Sequence, residues 1–286
     1  MAAPRHRPSL DAARLAALLD AMHGAADVAR GVTVAGFRAP LAIDDKAPGD
    51  LFDPVTDADR EAEALIRAHL GRAHPDIAFV GEESAAGDMP RFGGGGEPTW
   101  VVDPIDGTRA FITGMPLWGT LIALHDGEGV ALGMLDQPIL GERYVGGPDG
   151  ATLHADGSVR RLSTRDGRTL AEASLCCTTP DMFTSGDERA AFERVAASAR
   201  LTRYGGDCYA YAQLAAGHVD IVVEGDLRAW DIQALIPIVV GAGGVVSDWS
   251  GACAENGGRV VASGSAALHA EVLARLATPA SGESRP

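Results

Sequence analysis

Four short acidic segments, each placed where a strand ends or a helix begins, constrain the fold of this chain more than any other feature. They lie at residues 54–59, 79–84, 100–108 and 224–231. Taken singly, each segment could be a helix cap or a polar loop. Four of them in one chain indicate a shared site, because ligands in α/β structures gather at the edges where strands end.

The strongest of these segments reads Trp-Val-Val-Asp-Pro-Ile-Asp-Gly-Thr from residue 100. Asp103 follows a buried apolar run, and Pro104 is expected to force a turn because its ring fixes φ. The turn can aim Asp103 and Asp106 at one point, and Mg²⁺ prefers carboxylate oxygens. The amides of Gly107 and Thr108 open a predicted helix, which is a favourable place for a phosphate group. The alternative for this segment alone is a helix cap and a turn.

The other three segments bring further acids to the ends of predicted elements. The predicted strand 77–80 ends just before Glu82, and Asp59 lies in the first turn of a predicted helix. Glu224 follows a predicted strand, and Asp231 begins a predicted helix. Competing chemistry lacks its motif: there is no phosphate-binding loop with lysine, no nucleophilic serine elbow, and the two aspartates are three residues apart rather than two.

The net charge is -15 and the isoelectric point is about 4.8. Such a charge disfavours nucleic acid and anionic membranes as partners. Carboxylates gathered around metal ions nevertheless form a positive site for a small phosphorylated metabolite. The four cysteines show no paired metal-binding spacing, and no apolar stretch is long enough to cross a bilayer. We therefore expect a soluble cytoplasmic protein.

The order of predicted elements indicates a layered α/β structure. Helices are predicted at residues 9–30, from 56 or 57, and at 188–199, 208–216, 231–240 and 266–276. Strands are predicted at residues 77–80, 100–102, 120–124, 130–135, 143–145, 201–204, 219–223 and 245–247, and strand signals continue after residue 145 as far as residue 162. We expect two tightly packed lobes. Residues 1–140 would form an α+β lobe with most metal ligands, and residues 141–286 an α/β lobe that completes the metal site and the substrate pocket.

The acidic segments together resemble the inositol monophosphatase superfamily. The matching pieces, in chain order, are residues 54–59, 81–84, 100–108, 205–207 and 224–231. Within the superfamily, residues 106–121, 203–212 and 242–249 are most similar to the histidinol-phosphatase branch. Classical inositol monophosphatases have an Asn-Phe pair where this chain has Arg109, Ala110 and Phe111. The loop after Lys46 is a little longer than in those enzymes.

This resemblance implies an αβαβα layered sandwich, a homodimer, and two or three Mg²⁺ ions per active site. It implies that the ions are held by Glu82, Asp103, the Ile105 carbonyl, Asp106 and Asp231. It further implies that Asp59 and Thr108 position and deprotonate the attacking water, with Glu82 holding the ion that carries this water. The residues expected to contact phosphate or substrate are Gly107, Thr108, Gly206, Asp207 and Glu224.

The expected activity is hydrolysis of L-histidinol phosphate to L-histidinol and phosphate. Asp207 and Glu224 suit a cationic amino alcohol, because carboxylates form strong hydrogen bonds with ammonium groups. Tyr209 and Tyr211 are further candidates for contact with the organic part of the substrate, although at least one of them is expected to serve in helix packing instead. The alternatives are an inositol-1-monophosphatase, a sugar or nucleotide phosphatase of broad specificity, and a non-catalytic metal-binding regulatory protein.

Overall fold

The computed structural model describes residues 6, 8, 10–40, 42–45, 54–85 and 90–277. Ser9, where the first predicted helix begins, and Lys46 lie outside this part of the chain. The first half contains α1 (Ala12–Gly36), β1 (Ile43–Asp45), β2 (Pro54–Thr56), α2 (Asp57–Ala73), β3 (Ala78–Gly81), β4 (Thr99–Asp106), α3 (Thr108–Ile112), β5 (Gly119–His125) and β6 (Val130–Gln137).

The second half alternates more often between strand and helix. Its elements are β7 (Glu142–Gly147), β8 (Gly150–Ala155), β9 (Ser158–Arg161), β10 (Ser174–Cys177), α4 (Gly186–Ser198), β11 (Leu201–Tyr204), α5 (Asp207–Ala215), β12 (Ile221–Leu227), α6 (Ala229–Ile232), α7 (Leu235–Gly241), β13 (Val245–Asp248), β14 (Gly258–Ser263) and α8 (Ala266–Ala277). No helix in the described part of the chain combines the length and the apolar character that a bilayer crossing needs.

Two large sheets organise these elements. The first has seven strands in the order β3-β4-β5-β6-β7-β8-β9, antiparallel except for the parallel pair β3 and β4. The second has five strands in the order β11-β10-β12-β14-β13, of which β11, β10 and β12 are parallel. Strands β1 and β2 form a separate two-stranded antiparallel sheet.

Helices fill the three spaces beside the two sheets. Helices α1 and α2 cover the outer face of the first sheet, and α5, α6 and α7 lie between the sheets. Helices α4 and α8 cover the outer face of the second sheet. The result is an αβαβα sandwich, which confirms the predicted fold class.

The central layer lies unusually close to the first sheet because two strand residues have no side chain. A Cβ atom added at Gly133 of β6 would lie 2.0 Å from the carbonyl oxygen of Ala234. One added at Gly146 of β7 would lie 2.2 Å from the backbone nitrogen of Ile238. The backbone of α7 and of the residues before it therefore rests directly on these strands.

Several predicted elements differ from the observed ones. Helix α1 begins at Ala12, where the Asp11 side chain accepts a hydrogen bond from the Arg14 amide. The single helix predicted at 231–240 is wrong, because α6 and α7 are separate. Pro237 explains the break, since it has no N–H to donate to the carbonyl four residues earlier. Strands β1, β2, β10 and β14 were not predicted.

The first sheet continues beyond the predicted lobe boundary at residue 140. Strands β7, β8 and β9 pair successively with β6 and with one another, ending at Arg161. The division into two lobes stays a prediction, and by sheet membership its boundary falls after residue 161.

Candidate active site

Three carboxylates from two elements meet at one point beside the first sheet. Asp103 and Asp106 lie on β4 and Asp231 lies on α6, and one ligand atom of each is within 4.8 Å of the others. The pairing of β4 with β5 shifts register between Asp103 and Asp106. Such bulges redirect side chains beside functional sites. The turn predicted at Pro104 is therefore a bulge within a strand, and it brings the two aspartates together as expected.

Hydrogen bonds between side chains and the backbone hold this bulge in place. The Ile105 amide donates to Asp103 Oδ1 at 3.0 Å, and the Thr120 hydroxyl donates to the Pro104 carbonyl at 2.8 Å. Gly107 then adopts a left-handed conformation with φ 84° before α3 begins. An added Cβ there would lie 3.2 Å from the Cα atom of Trp118, so this sharp exit from β4 requires glycine.

Glu82 joins the cluster from the neighbouring strand. Its amide donates to the Val102 carbonyl at 3.1 Å, which holds the turn after β3 against β4. A cavity of about 180 Å³ lies over the cluster. The polar and charged side chains that line it are Glu82, Asp103, Asp106, Thr108, Arg109, Thr178, Asp207, Cys208, Tyr211, Glu224 and Asp231.

The second half of the chain completes the site through α5. The Cys208 amide, in the first turn of this helix, donates to Asp106 Oδ2 at 2.8 Å. Asp207 precedes it in a left-handed conformation with φ 42° and lines the cavity. Gly206 is the residue before the helix and is not among the described residues that line the cavity.

Electrostatic repulsion accompanies the crowding of these acids. Burial raises the pKa of Asp103 well above its usual range, and the charges of Glu82, Asp106 and Asp231 raise it further. Burial likewise raises the pKa of Asp231 well above its usual range and that of Asp106 to about 6. Hydrogen bonds from Cys208 limit the increase for Asp106. The cluster is therefore unfavourable unless positive charge or protons compensate it.

The donor set fits a hard divalent cation. Carboxylates from β4, from α6 and from the turn after β3 converge on the cavity, which Ile105 also lines. Hard cations take oxygen ligands, and the mutual repulsion of the acids is the energy that a bound cation would relieve. The geometry thus brings together every residue of the predicted ligand set, while its role in metal binding stays a prediction.

The two residues expected to act on the attacking water have protein partners. Asp59 is fully buried and accepts hydrogen bonds from the Thr56 amide at 2.9 Å and from the Thr56 hydroxyl at 2.5 Å. This arrangement is a helix capping box, so Asp59 also has the helix-cap role that was the alternative to a site role for residues 54–59. The Thr108 hydroxyl lines the cavity and donates to the Ile105 carbonyl at 3.0 Å. Their catalytic roles remain predictions.

Glu224 lies at the cavity wall with its carboxylate held by two side chains. The Thr178 hydroxyl donates to Oε1 at 2.6 Å, and the Tyr211 hydroxyl donates to Oε2 at 3.1 Å. Burial raises the pKa of Glu224 to about 7. Burial also raises the pKa of Asp207 to about 8, with help from the charges of Asp106 and Glu224.

The two tyrosines of α5 separate as helical geometry requires. Tyr211 lines the cavity, whereas the Tyr209 hydroxyl donates to Glu142 Oε2 at 2.8 Å, beside Tyr144. Tyr209 therefore packs between the helix and the first sheet. Only Tyr211 remains a candidate for the pocket.

The sequence analysis missed three residues that shape the site. Thr178, which holds Glu224, follows the unpredicted strand β10, for which the apolar run at 175–177 was the available signal. Among the described residues that line the cavity, Arg109 is the one with a basic side chain. Glu63 on α2 accepts a hydrogen bond from the Glu83 amide at 2.7 Å, and no local pattern indicated this contact.

Comparison with known proteins gives a consistent result over nearly the whole chain. Residues 15–281 match the inositol monophosphatase family. The chain is 39% identical over 250 residues to the chloroplastic bifunctional phosphatase IMPL2 of Arabidopsis thaliana, covering 84% of this chain and 69% of that protein. It is 35% identical over 262 residues to the histidinol-phosphatase of Streptomyces coelicolor, covering 89% and 94%. An inositol monophosphatase structure from Zymomonas mobilis superposes with a TM-score of 0.79 at 38% identity, covering 93% and 99%.

Proposed function

Because the chain belongs to the inositol monophosphatase family and is a phosphoric monoester hydrolase, we propose that its substrate is L-histidinol phosphate and its metal is Mg²⁺. The family is metal-dependent, and the acidic cluster offers the oxygen ligands that Mg²⁺ takes. One similar protein also supports the substrate, since the relative from Streptomyces coelicolor is a histidinol-phosphatase.

The observation that carries the proposal is that the small cavity contains more carboxylates than the predicted metal ligands account for. Six carboxylates of the described residues line it, and the predicted metal ligand set accounts for four of them. Asp207 and Glu224 remain, and the pKa of each is raised mainly by burial. A substrate ammonium or imidazolium group beside them would favour their charged forms. Histidinol phosphate carries such a cation next to its phosphate, whereas inositol phosphate does not.

The carboxylate cluster would hold one metal ion for the attacking water and a second for the leaving oxygen. Glu82, Asp103 and the Ile105 carbonyl would hold one ion, and Asp103, Asp106 and Asp231 would hold a second. Bound divalent ions supply an activated water molecule and neutralise charge on the leaving oxygen. No covalent bond between the protein and the phosphoryl group is required.

The chain itself would orient the phosphoryl group and the water. The amides of Gly107 and Thr108 follow the sharp exit from β4 and would donate to phosphoryl oxygens. The Thr108 hydroxyl would position the water, and Asp59 would assist its deprotonation from the start of α2. Gly206 would let the backbone before α5 approach the organic part of the substrate.

An inositol phosphate is the second candidate substrate. The Zymomonas mobilis protein described as an inositol monophosphatase is 38% identical to this chain. Carboxylates also accept hydrogen bonds from neutral hydroxyl groups, so the same acids could bind a polyol. A phosphatase of broad sugar or nucleotide specificity would use the same cluster.

The test is phosphate release from L-histidinol phosphate and myo-inositol 1-phosphate, measured side by side with and without Mg²⁺. We expect Mg²⁺-dependent release and a clear preference for histidinol phosphate in kcat/KM. The Asp207→Asn variant should raise KM for histidinol phosphate more than for the inositol ester. Asp226→Asn is the matched control, because Asp226 is exposed and also has a positive φ of 55°. Preference for the inositol ester would refute the proposed substrate.

The family resemblance also motivates a proposal about assembly and location. We propose a homodimer that works in the cytoplasm on a small phosphorylated metabolite. Light scattering of the purified protein would give the mass in solution. A mass of 29.5 kDa, that of one chain, at working concentrations would refute the dimer.

A further inference from the structure

Helix α2 contains a buried carboxylate that the proposed chemistry does not use. The Glu63 residue is 3% exposed and is not among the residues that line the active-site cavity. An ionised carboxylate at such a position is costly unless hydrogen bonds compensate it. Its partners therefore indicate why the charge is placed there.

These partners all belong to the turn after β3 or support it. Glu63 Oε2 accepts a hydrogen bond from the Glu83 amide at 2.7 Å. Glu63 Oε1 lies 3.5 Å from an Arg67 guanidinium nitrogen, and the same nitrogen donates to the Ser84 hydroxyl. The Glu63–Arg67 pair thus contacts the two residues that follow Glu82.

The residue before Glu82 is shaped by the same carboxylate. A Cβ atom added at Gly81 would lie 2.4 Å from the Glu63 carboxyl carbon, so the carboxylate occupies the space of a side chain there. On the opposite side, the Glu82 amide donates to the Val102 carbonyl of β4. The turn that carries Glu82 is therefore held by β4 on one side and by Glu63 on the other.

We propose that Glu63 is a positioning residue that fixes this turn so that the Glu82 carboxylate faces Asp103. The inference rests on the proposed function, in which Glu82 is a metal ligand. Groups that orient a ligand in this way typically change metal affinity by roughly 10- to 100-fold when they are removed. A purely structural role for Glu63 would instead change the stability of α2 and leave metal affinity unchanged.

The test is Glu63→Gln, with Glu61→Gln as the control on the exposed face of the same helix. Calorimetric titration with Mg²⁺ in the absence of substrate measures binding directly. Glu63→Gln should weaken Mg²⁺ binding roughly 10- to 100-fold, and should raise the Mg²⁺ concentration for half-maximal phosphate release while kcat at saturating Mg²⁺ changes little. Glu61→Gln should match the wild type in both measurements.

Glu63→Asp serves as a second variant if the glutamine variant does not fold. It keeps the charge beside Arg67, but its shorter side chain cannot reach the Glu83 amide, so the same loss of Mg²⁺ affinity is expected. Wild-type Mg²⁺ affinity in the folded variant overturns the inference. A wild-type protein that neither binds Mg²⁺ nor releases phosphate refutes the proposed function itself, and that outcome is distinct from a failure of Glu63 alone.

Discussion

The contact between Gly133 and the start of α7 gives the sharpest test of the packing described above. In Gly133→Ala the new methyl group would lie 2.0 Å from the Ala234 carbonyl oxygen and 2.5 Å from Pro237 Cγ. Ordinary van der Waals contact begins near 3.4 Å. The segment before α7 must therefore move away from β6 by roughly 1.4 Å, because close-packed interiors have no space to absorb the methyl group.

Two effects follow from this displacement. Overpacking of a core costs about 1–3 kcal/mol, and contact with backbone atoms places this variant at the upper end, so the free energy of unfolding should fall by about 2–3 kcal/mol. Asp231 lies three residues before Ala234 in the same helical connection. Displacing this connection should also raise the Mg²⁺ concentration that half-saturates the enzyme.

Urea unfolding followed by circular dichroism measures the first effect, and Mg²⁺ titration measures the second. Gly71→Ala is the matched control, because an added Cβ on this exposed residue of α2 meets no atom within 4 Å. It should stabilise the protein by up to about 1 kcal/mol, since alanine is the better helix former. If Gly133→Ala unfolds at the wild-type urea concentration with an unchanged Mg²⁺ requirement, the reasoning is wrong.

Three further predictions concern charge. Asp103→Asn should reduce Mg²⁺-dependent phosphate release by roughly 100- to 1,000-fold or more, and normal turnover would contradict the proposed site. The same variant should raise the thermal midpoint of the metal-free protein, because it removes a buried charge that its neighbours repel. Asp136→Asn leaves Arg30 and Arg143 without their shared carboxylate. The free energy of unfolding, measured in urea, should fall by about 3 kcal/mol. This is the lower end of the range for a broken buried ion pair, and we expect it because the Arg30 side chain is 34% exposed. Burial lowers the pKa of His269 from 6.5 to about 4. Between these pH values the unfolded chain binds a proton that the folded chain does not, so the free energy of unfolding should fall by about 3 kcal/mol as the pH drops from 6.5 to 4. His269→Gln should remove most of this pH dependence, measured by urea unfolding at each pH.

The part of the site that the sequence predicts is the part encoded locally. Asp103 and Asp106 follow an apolar run within one short segment, so the turn chemistry and the spacing of the carboxylates indicate their convergence directly. The acidic ends of the other segments point to the same sheet edge by the general rule for α/β folds. The structure brings Glu82 and Asp231 to this edge as expected.

What the sequence does not predict depends on contacts between distant residues. Strand β10 has four residues, and it is stabilised by parallel pairing with β11 and β12 rather than by its own pattern. Thr178, which follows it, holds Glu224 from 46 residues away. Glu63 meets the Glu83 amide only because α2 folds back beside β3. Periodicity along the chain contains no signal for such pairs.

The hydrogen bond from the Cys208 amide to Asp106 spans 102 residues of chain. Asp231, which completes the carboxylate cluster, comes later still. A nascent chain that has left the ribosome only as far as β9 therefore has Asp103, Asp106 and Glu82 but neither of these later contributions. If Asp231 is a metal ligand, as proposed, hydrolysis would begin only after α5 and α6 have packed against the first sheet. The onset of phosphate release during synthesis would then report the moment at which these two helices dock.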